Sequence, residues 1–351
     1  MGCFALLLSG CYWLKKDSAE GRLLIWKCSM HMVKDSPWIG HGIGGFEAHY
    51  MDYQKDYLRQ HEQSRYSMLA GNVKHPFNEY IGVLVNFGFI GLLMILAIVT
   101  LLVHCYRKYP SAEKRIALYS LMSIGVFSFF SYPFTYPFTW IVTSLCVVIL
   151  TKEYLTIFFT QPMMKNALCI FILIGSFGGI YKLVERVKSE IEWGKIAKLA
   201  LCEKSRKTLP TYEKLEMKFE DNPYFLYNYA AILLENKQYE ESIKIALRCR
   251  KYWADYDLEL MIGELYQNLD IPELAEKYYN SALLMCPSRF LPLYNLFHLY
   301  KDIEDRECMF SVAKTIIDKP MKIETPTIRM MKREMEREQA QLLTEERATN
   351  R

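Results

Sequence analysis

The stretch "VKHPFNEYIGVLVNFGFIGLL", residues 73–93, sets His75, Asn78 and Glu79 immediately before a long apolar run that begins at Tyr80. An imidazole can exchange a proton at neutral pH, while an amide and a carboxylate supply directed hydrogen bonds. Polar groups beside lipid are costly, so they tend to face a cavity or a partner. The same residues also suit a plainer role, a helix N-terminus capped by polar side chains. A second group of interest lies upstream. In "SAEGRLLIW" Ser18 is the expected N-cap of an amphipathic helix, with Leu24, Ile25, Cys28 and Met32 on one face. That start places Arg22 in the first turn, where a cation opposes the helix dipole. It is then either an ordinary surface arginine or a ligand for an external anion.

Residues 40–45, "GHGIGG", form a literal GxGxxG. The dinucleotide-binding reading needs a strand before it and a βαβ unit around it, and the flanking "VKDSPW" and "FEAHYMDYQKDYLRQ" supply neither. The spacing instead predicts a glycine-rich turn ending a helix at a membrane surface, where the amides around Gly42 can approach a phosphate. His31, His41, His49 and His61 share this region without metal-ligand spacing, and read as structural or surface residues.

These residues must be positioned by a chain of 351 residues, 51% of them hydrophobic. The apolar runs concentrate in residues 80–184, which splits the chain into a membrane half and a soluble half. The formal net charge of +4 is dispersed, with no basic stripe, so nucleic acid is not an expected partner. Ten cysteines are scattered with no CxxC pair, which indicates neither a disulfide framework nor a zinc site. The predicted fold class is all-α: a polytopic membrane domain followed by a helical repeat array.

Within the membrane half, the run from Tyr80 ends near His104, and Gly88 predicts a bend at "NFGF" before the span proper, roughly from Phe89 to Cys105. Further spans are expected at about 116–132, 138–158 and 167–183, giving about four complete ones. "SYPFTYPFTW" between two of them reads as a tight turn at an aromatic membrane interface. The opening "MGCFALLLSGCYWL" imitates a lipoprotein site at Cys11 and a myristoylation start. It lacks a basic n-region and has Leu6 where the latter needs Ser or Thr. It reads instead as the tail of a partial first membrane helix.

The loop "YRKYPSAEKR" carries four basic residues and one acid, and should be cytoplasmic. Residues 15–79 and the carboxy-terminal half then share the opposite compartment, the periplasm of a Gram-negative cell.

Residues 205–321 repeat with a period near 34. Gly263, Tyr266, Ala275, Tyr279, Ala282 and Pro287 fall at tetratricopeptide spacings. Gly263 and Ala275 let two helices approach, Tyr279 fills the groove, and Pro272 suits a first helical turn. Ala230 and Ser242 mark an earlier copy, and a weaker one runs from Phe290 to Pro320. Such arrays present a concave binding surface, so a protein partner is expected. The charged tail, 322–351, reads as a solvated helix that frays. Domain boundaries are thus expected at 1–185, 205–321 and 322–351.

The order "SAEGRLLIW", "PWIGHGIGGFEAHY", "KHPFNEY", "NFGFIGLL" resembles the carboxy-terminal part of the O-antigen ligase and polymerase family of membrane glycosyltransferases. It looks most like Bacteroidetes-type members with tetratricopeptide repeats after the last span. The family pattern maps onto Gly21 and Arg22, onto Pro37, Gly40 and Gly42, and onto His75 and Asn78, over about residues 1–150.

The resemblance implies transfer of a glycan from an undecaprenyl-pyrophosphate carrier to lipid A-core or another acceptor at the inner membrane, with no metal or cofactor. It implies that an arginine, here Arg22, binds the pyrophosphate and that the loop histidine, His75, is the base on the acceptor hydroxyl. Asn78 and Glu79 would orient His75 or touch the acceptor. Family members usually carry about ten or more spans and a further arginine upstream. The chain therefore reads as an N-terminally truncated member, a piece of a longer gene or an inactive remnant. The competing class is a non-enzymatic membrane-anchored scaffold whose repeats recruit partners for envelope glycan assembly.

Overall fold

The computed structural model describes residues 15–61, 64–158, 162–200 and 205–349, so the expected partial first helix lies outside the described residues. Among these residues the secondary structure is helical throughout, with no strand.

Helix α1 (Lys16–Asp35) starts three residues earlier than a cap at Ser18 predicts. Lys15 occupies the cap position without a side-chain bond, and Asp17 supplies the negative charge that a first turn favours. Ser18 is therefore inside the helix, and Arg22 lies beyond the first turn, which removes the argument from an opposed dipole. The expected apolar face holds: Leu24, Ile25, Cys28 and Met32 are all buried. They pack on α2 (Gly45–Gln60) and on Val85 of α3 (Glu79–Lys108).

Helix α3 is the one helix among the described residues that is clearly long and apolar enough to cross a membrane. It breaks at Gly88, whose φ of 62° and ψ of −161° leave the helical region, at the bend read from "NFGF". Such a break strands backbone groups on both sides, and in apolar surroundings each costs several kcal/mol unless partnered. The loop between α1 and α2 partners four of these groups. His41 N donates to Val85 O at 2.8 Å and Gly42 N to Asn86 O at 2.9 Å. In return Phe89 N donates to Pro37 O at 2.8 Å and Ile90 N to Trp38 O at 3.1 Å. The backbones lie so close that a Cβ on Gly40 would sit 2.4 Å from Asn86 C, and one on Gly88 2.4 Å from Trp38 C. The Asn86 side chain completes the joint by accepting from Phe46 N at 3.0 Å, satisfying a free amide in the first turn of α2.

Helices α4 (Ala112–Ser128) and α5 (Pro137–Phe158) pack with α3 around Leu102, Ala117, Cys146 and Leu150. A 3-10 turn, Pro133–Thr135, joins them. Helix α6 (Pro162–Leu199) runs unbroken past residue 185. Large apolar side chains such as Phe127, Leu145 and Phe177 remain exposed on these helices. At the far end of α6, Ile196 is buried with α7 (Ser205–Glu216) against the next pair of helices.

That pair, α8 (Pro223–Glu235) and α9 (Tyr239–Arg250), is the first of three helical hairpins. The others are α10 (Tyr256–Asn268) with α11 (Pro272–Met285), and α12 (Leu291–Asp302) with α13 (Arg306–Asp318). Each turn contains one non-glycine residue with positive φ: Lys237, Asp270 and Glu304, spaced 33 and 34 residues apart. The recurrence of one strained backbone position marks a true structural period. In the middle hairpin a Cβ on Gly263 would stand 2.5 Å from the Tyr279 ring, so the absent side chain is what admits the tyrosine.

Helix α14 (Pro326–Thr349) differs from the expected fraying tail. Met331 and Met335 are buried against the last hairpin, and Glu334 accepts from the Tyr294 hydroxyl at 3.0 Å. A narrow apolar stripe at helical spacing, Ile328, Met331, Met335 and Leu342, lies within the charged sequence and docks the helix.

The array is not tethered loosely. One apolar core runs from α1 and α2 into α10–α14. Across it Arg250 pairs with Asp52 at 2.6 Å and also with Glu259. Burial pushes the Asp52 carboxyl up, but Arg250 and Lys55 outweigh it and hold the group below its ordinary range.

The joint at Gly88 gives a direct test. Gly88→Ala meets both a positive φ and the Trp38 backbone, and should destabilise the chain by about 3 kcal/mol or more. Gly42→Ala, with φ of 85° but nothing within 4 Å of its Cβ, should lose only the backbone cost, about 1–2 kcal/mol. Denaturant unfolding in detergent measures both. Equal losses would contradict a clamp at Gly88.

Candidate functional site

Where α3 begins, three separate segments meet. Asn78 is its N-cap: Oδ1 accepts from Ile81 N at 3.1 Å, and Nδ2 donates to Phe129 O at 3.1 Å in the turn after α4. The capping role read from the sequence as the plainer alternative is thus the one its amide performs, with both polar atoms engaged inside the protein. Glu79 accepts from Phe134 N at 2.9 Å, and its carboxylate is within electrostatic reach of His75. Cap and carboxylate together tie the start of α3 to the "SYPFTYPFT" turn.

His75 is half-buried, and its ring stacks on Tyr132 with centroids 4.6 Å apart and planes at 26°. Among the described residues its two ring nitrogens have no hydrogen-bond partner. Phe77 meets Tyr132 edge-on at 5.3 Å and has φ of 54°, an uncommon conformation for a bulky residue. Strain of this kind persists only where neighbours enforce it, and it stands two residues from the histidine.

Arg22 comes to the same mouth from α1. Its guanidinium carbon lies 5.4 Å from the Phe77 ring centroid, and Nη1 donates to Phe130 O at 3.1 Å. One turn further on, the Trp26 indole donates to Pro76 O at 2.9 Å, which fixes α1 against the segment bearing His75. Arg22 has no carboxylate partner among the described residues, so most of its five N–H donors are uncommitted.

The structure therefore brings Arg22 to Phe77 and His75 to Tyr132, with the two rings in edge contact, while Asn78 and Glu79 bind the turns after α4. Gly42 does not join them. It belongs to the joint at Asn86, about 10 Å further along α3 by helical rise, and its amide is already bonded there. His41 is structural as expected, its Nε2 donating to Met32 O at 2.8 Å. A cavity of about 550 Å³ bordered by Leu283, Lys314 and Lys319 lies in the repeat array, and none of the mouth residues lines it.

Tyr132, Phe77 and Trp26 did not emerge as site residues from the sequence. Tyr132 carried one usable signal: its turn follows a span on the same side of the membrane half as His75. The other two depend on contacts between segments and left none.

Residues 5–96 match a family model described as O-antigen ligase. The matched stretch includes Arg22, the glycine loop, His75, Asn78, Glu79 and the break at Gly88. It supports the O-antigen ligase family for this part of the chain, and the repeat array lies outside it. No curated protein matches the chain.

The two bonds of Asn78 generate a prediction about stability. Asn78→Ala should destabilise the fold by about 1–2 kcal/mol through the lost cap and the orphaned Phe129 carbonyl. Asn78→Ser, which can still cap, should recover part of that loss in thermal unfolding. An Asn78→Ala chain as stable as the parent would mean that the amide serves something outside the protein.

Proposed function

We propose that the chain is a membrane glycosyltransferase of the O-antigen ligase type, moving a glycan from an undecaprenyl-pyrophosphate carrier to lipid A-core or another envelope acceptor. The observation that carries this reading is a guanidinium on the Phe77 ring with most of its donors free, beside an imidazole on the Tyr132 ring with no hydrogen-bond partner among the described residues, at the foot of an apolar helix. The family match over the same residues agrees with it.

The acceptor hydroxyl oxygen attacks the anomeric carbon of the carried glycan, and the bond from that carbon to the pyrophosphate oxygen breaks. The hydroxyl proton passes to a ring nitrogen of His75. The leaving lipid pyrophosphate keeps the bonding electrons, and Arg22 meets its charge with a planar pair of N–H donors. Glu79, beside His75, favours the imidazolium that forms. Asn78 acts by holding the start of α3 rather than by touching the sugar.

In this reading α4 and α5 cross the bilayer beside α3 and α6 crosses it as well, which suits their exposed apolar side chains. The loop "YRKYPSAEKR" faces the cytoplasm, and the mouth and repeats face the periplasm. The scaffold alternative asks the repeats to hold partners, whereas one side of them is occupied by α2 and its neighbours.

The test is glycan transfer from a polyprenyl-pyrophosphate donor in proteoliposomes, with insertion checked separately. His75→Ala should lower the rate by roughly 10²- to 10⁴-fold, the usual worth of a general base. Arg22→Lys keeps the charge but loses the fork, and should also lose most activity. A His75→Ala chain working at the parental rate would sink the base assignment. Full activity in Arg22→Lys would sink the pyrophosphate assignment.

A further inference from the structure

We infer that the repeat array is a working part of the transfer site: through Asp255, Tyr224 and Trp253 it positions the segment that carries His75. This deepens the proposed function and rests on His75 doing the chemistry described there.

The segment 71–76 has no regular structure, so something else must place it. It is gripped residue by residue. Gln54, fully buried on α2, donates through one amide nitrogen both to Gly71 O at 2.9 Å and to Met285 O at 2.8 Å, the latter at the end of α11. Asn72 Nδ2 donates to Asp255 Oδ2 at 2.8 Å. Lys74, directly before the histidine, places its ammonium 4.7 Å from the ring centroids of both Tyr224 and Trp253. Beyond the histidine, the Trp26 indole holds Pro76 from the α1 side. Residues 71, 72 and 74 are thus held by or through the array, residue 76 by α1, and only the His75 ring is left to Tyr132.

Asp255 suits this work because it is itself immobile. It is 1% exposed, and its other oxygen accepts from Asp257 N at 2.8 Å and Leu258 N at 3.3 Å as the N-cap of α10. Burial is the larger effect and leaves its carboxyl above the ordinary range, against the downward pull of Asn72 and the cap amides. The donor from Asn72 is therefore part of what keeps a charge in that place. Tyr224 is fixed in turn by donating to Glu47 at 3.1 Å, and Ala254 N donates to Glu47 O at 3.0 Å. The residues of the grip come from α8, the turn before α10 and α11. An array without α2 docked on it would not assemble them around the segment.

A swapped pair tests this in the full chain. Asn72→Asp sets two carboxylates face to face, Asp255→Asn retains a capping side chain, and the double variant restores one donor and one acceptor. Two readouts are used. Trypsin cleavage after Lys74, referred to cleavage after Lys34 in the same chain, reports release of the segment whether or not the chain turns over. Transfer kinetics report kcat and KM separately.

Asn72→Asp should raise cleavage after Lys74 by about tenfold and lower kcat by a similar factor, the worth of a hydrogen bond to a buried charge. Acceptor KM should change little. The double variant should return both to within about threefold of the parent. Unchanged cleavage in Asn72→Asp, or no recovery in the double variant, overturns the grip. Faster cleavage with unchanged kcat overturns its role in positioning. Failure of the function itself shows differently: His75→Ala would transfer at the parental rate while the cleavage pattern stayed as described.

Discussion

Four backbone hydrogen bonds exchanged between residues 37–42 and 85–90 are the constraint on which the rest of the molecule depends. A helix broken at the edge of lipid leaves amides and carbonyls that nothing apolar can satisfy. The loop after α1 answers that need with its own backbone, and only glycine at positions 40 and 88 lets the two chains come close enough. The bond pattern fixes where α1 ends and α2 starts relative to α3. Asn86 strengthens it by serving α2 as a borrowed cap. Because α1 is held at its far end, its near end can bring Arg22 and Trp26 to the start of α3. The mouth is thus a consequence of the break.

From that joint the structure grows outward in layers. α3 with α4 and α5 forms one small apolar cluster, α1 and α2 lie across its outer end, and the repeats close over α2. The core beneath α1 and α2 continues into the repeats, so the outer layer has no apolar boundary at which to separate. Polar links cross the same junction: Arg250 with Asp52, Asn72 with Asp255, and Gln54 with Met285 O. Such hydrogen bonds are directional and hold one register between the segments they join. Register is what a segment such as 71–76 needs.

How much of this was legible in the sequence follows from how local each feature is. The bend at "NFGF" and the apolar face of α1 were readable, since both follow from spacing within one element. The helical pairing around Gly263 and Tyr279 was readable from the repeat spacing of small and aromatic residues in two successive helices. The start of α1 was misplaced because Ser18 is a good cap by type, yet Asp17 and Lys16 already continue the helix. The docking of α14 was hidden by charges on the remaining faces of a helix whose stripe is only four residues wide. The glycine loop read as a turn whose amides can approach a phosphate, since nothing nearby in the chain pairs them. Their partners, Val85 O and Asn86 O, lie more than forty residues away. Arg22 and His75 stood out by residue type and position, and a resemblance of short motifs supplied their roles. The reason they meet, two aromatic rings from different segments, is a tertiary fact with no local signature.

In the proposed function a lipid-linked pyrophosphate binds at the mouth formed by α1, the 71–78 segment and the turn before α5. The most direct measurement is photo-crosslinking of the chain in nanodiscs with a polyprenyl-pyrophosphate analogue carrying a diazirine next to the diphosphate. It reads binding without requiring turnover. Mass spectrometry should place the adducts on residues around Arg22, His75 and Phe130. Unlabelled polyprenyl pyrophosphate should compete, and a polyprenol without phosphate should not. Adducts confined to α3–α6, or labelling that the bare polyprenol competes equally well, would contradict the account.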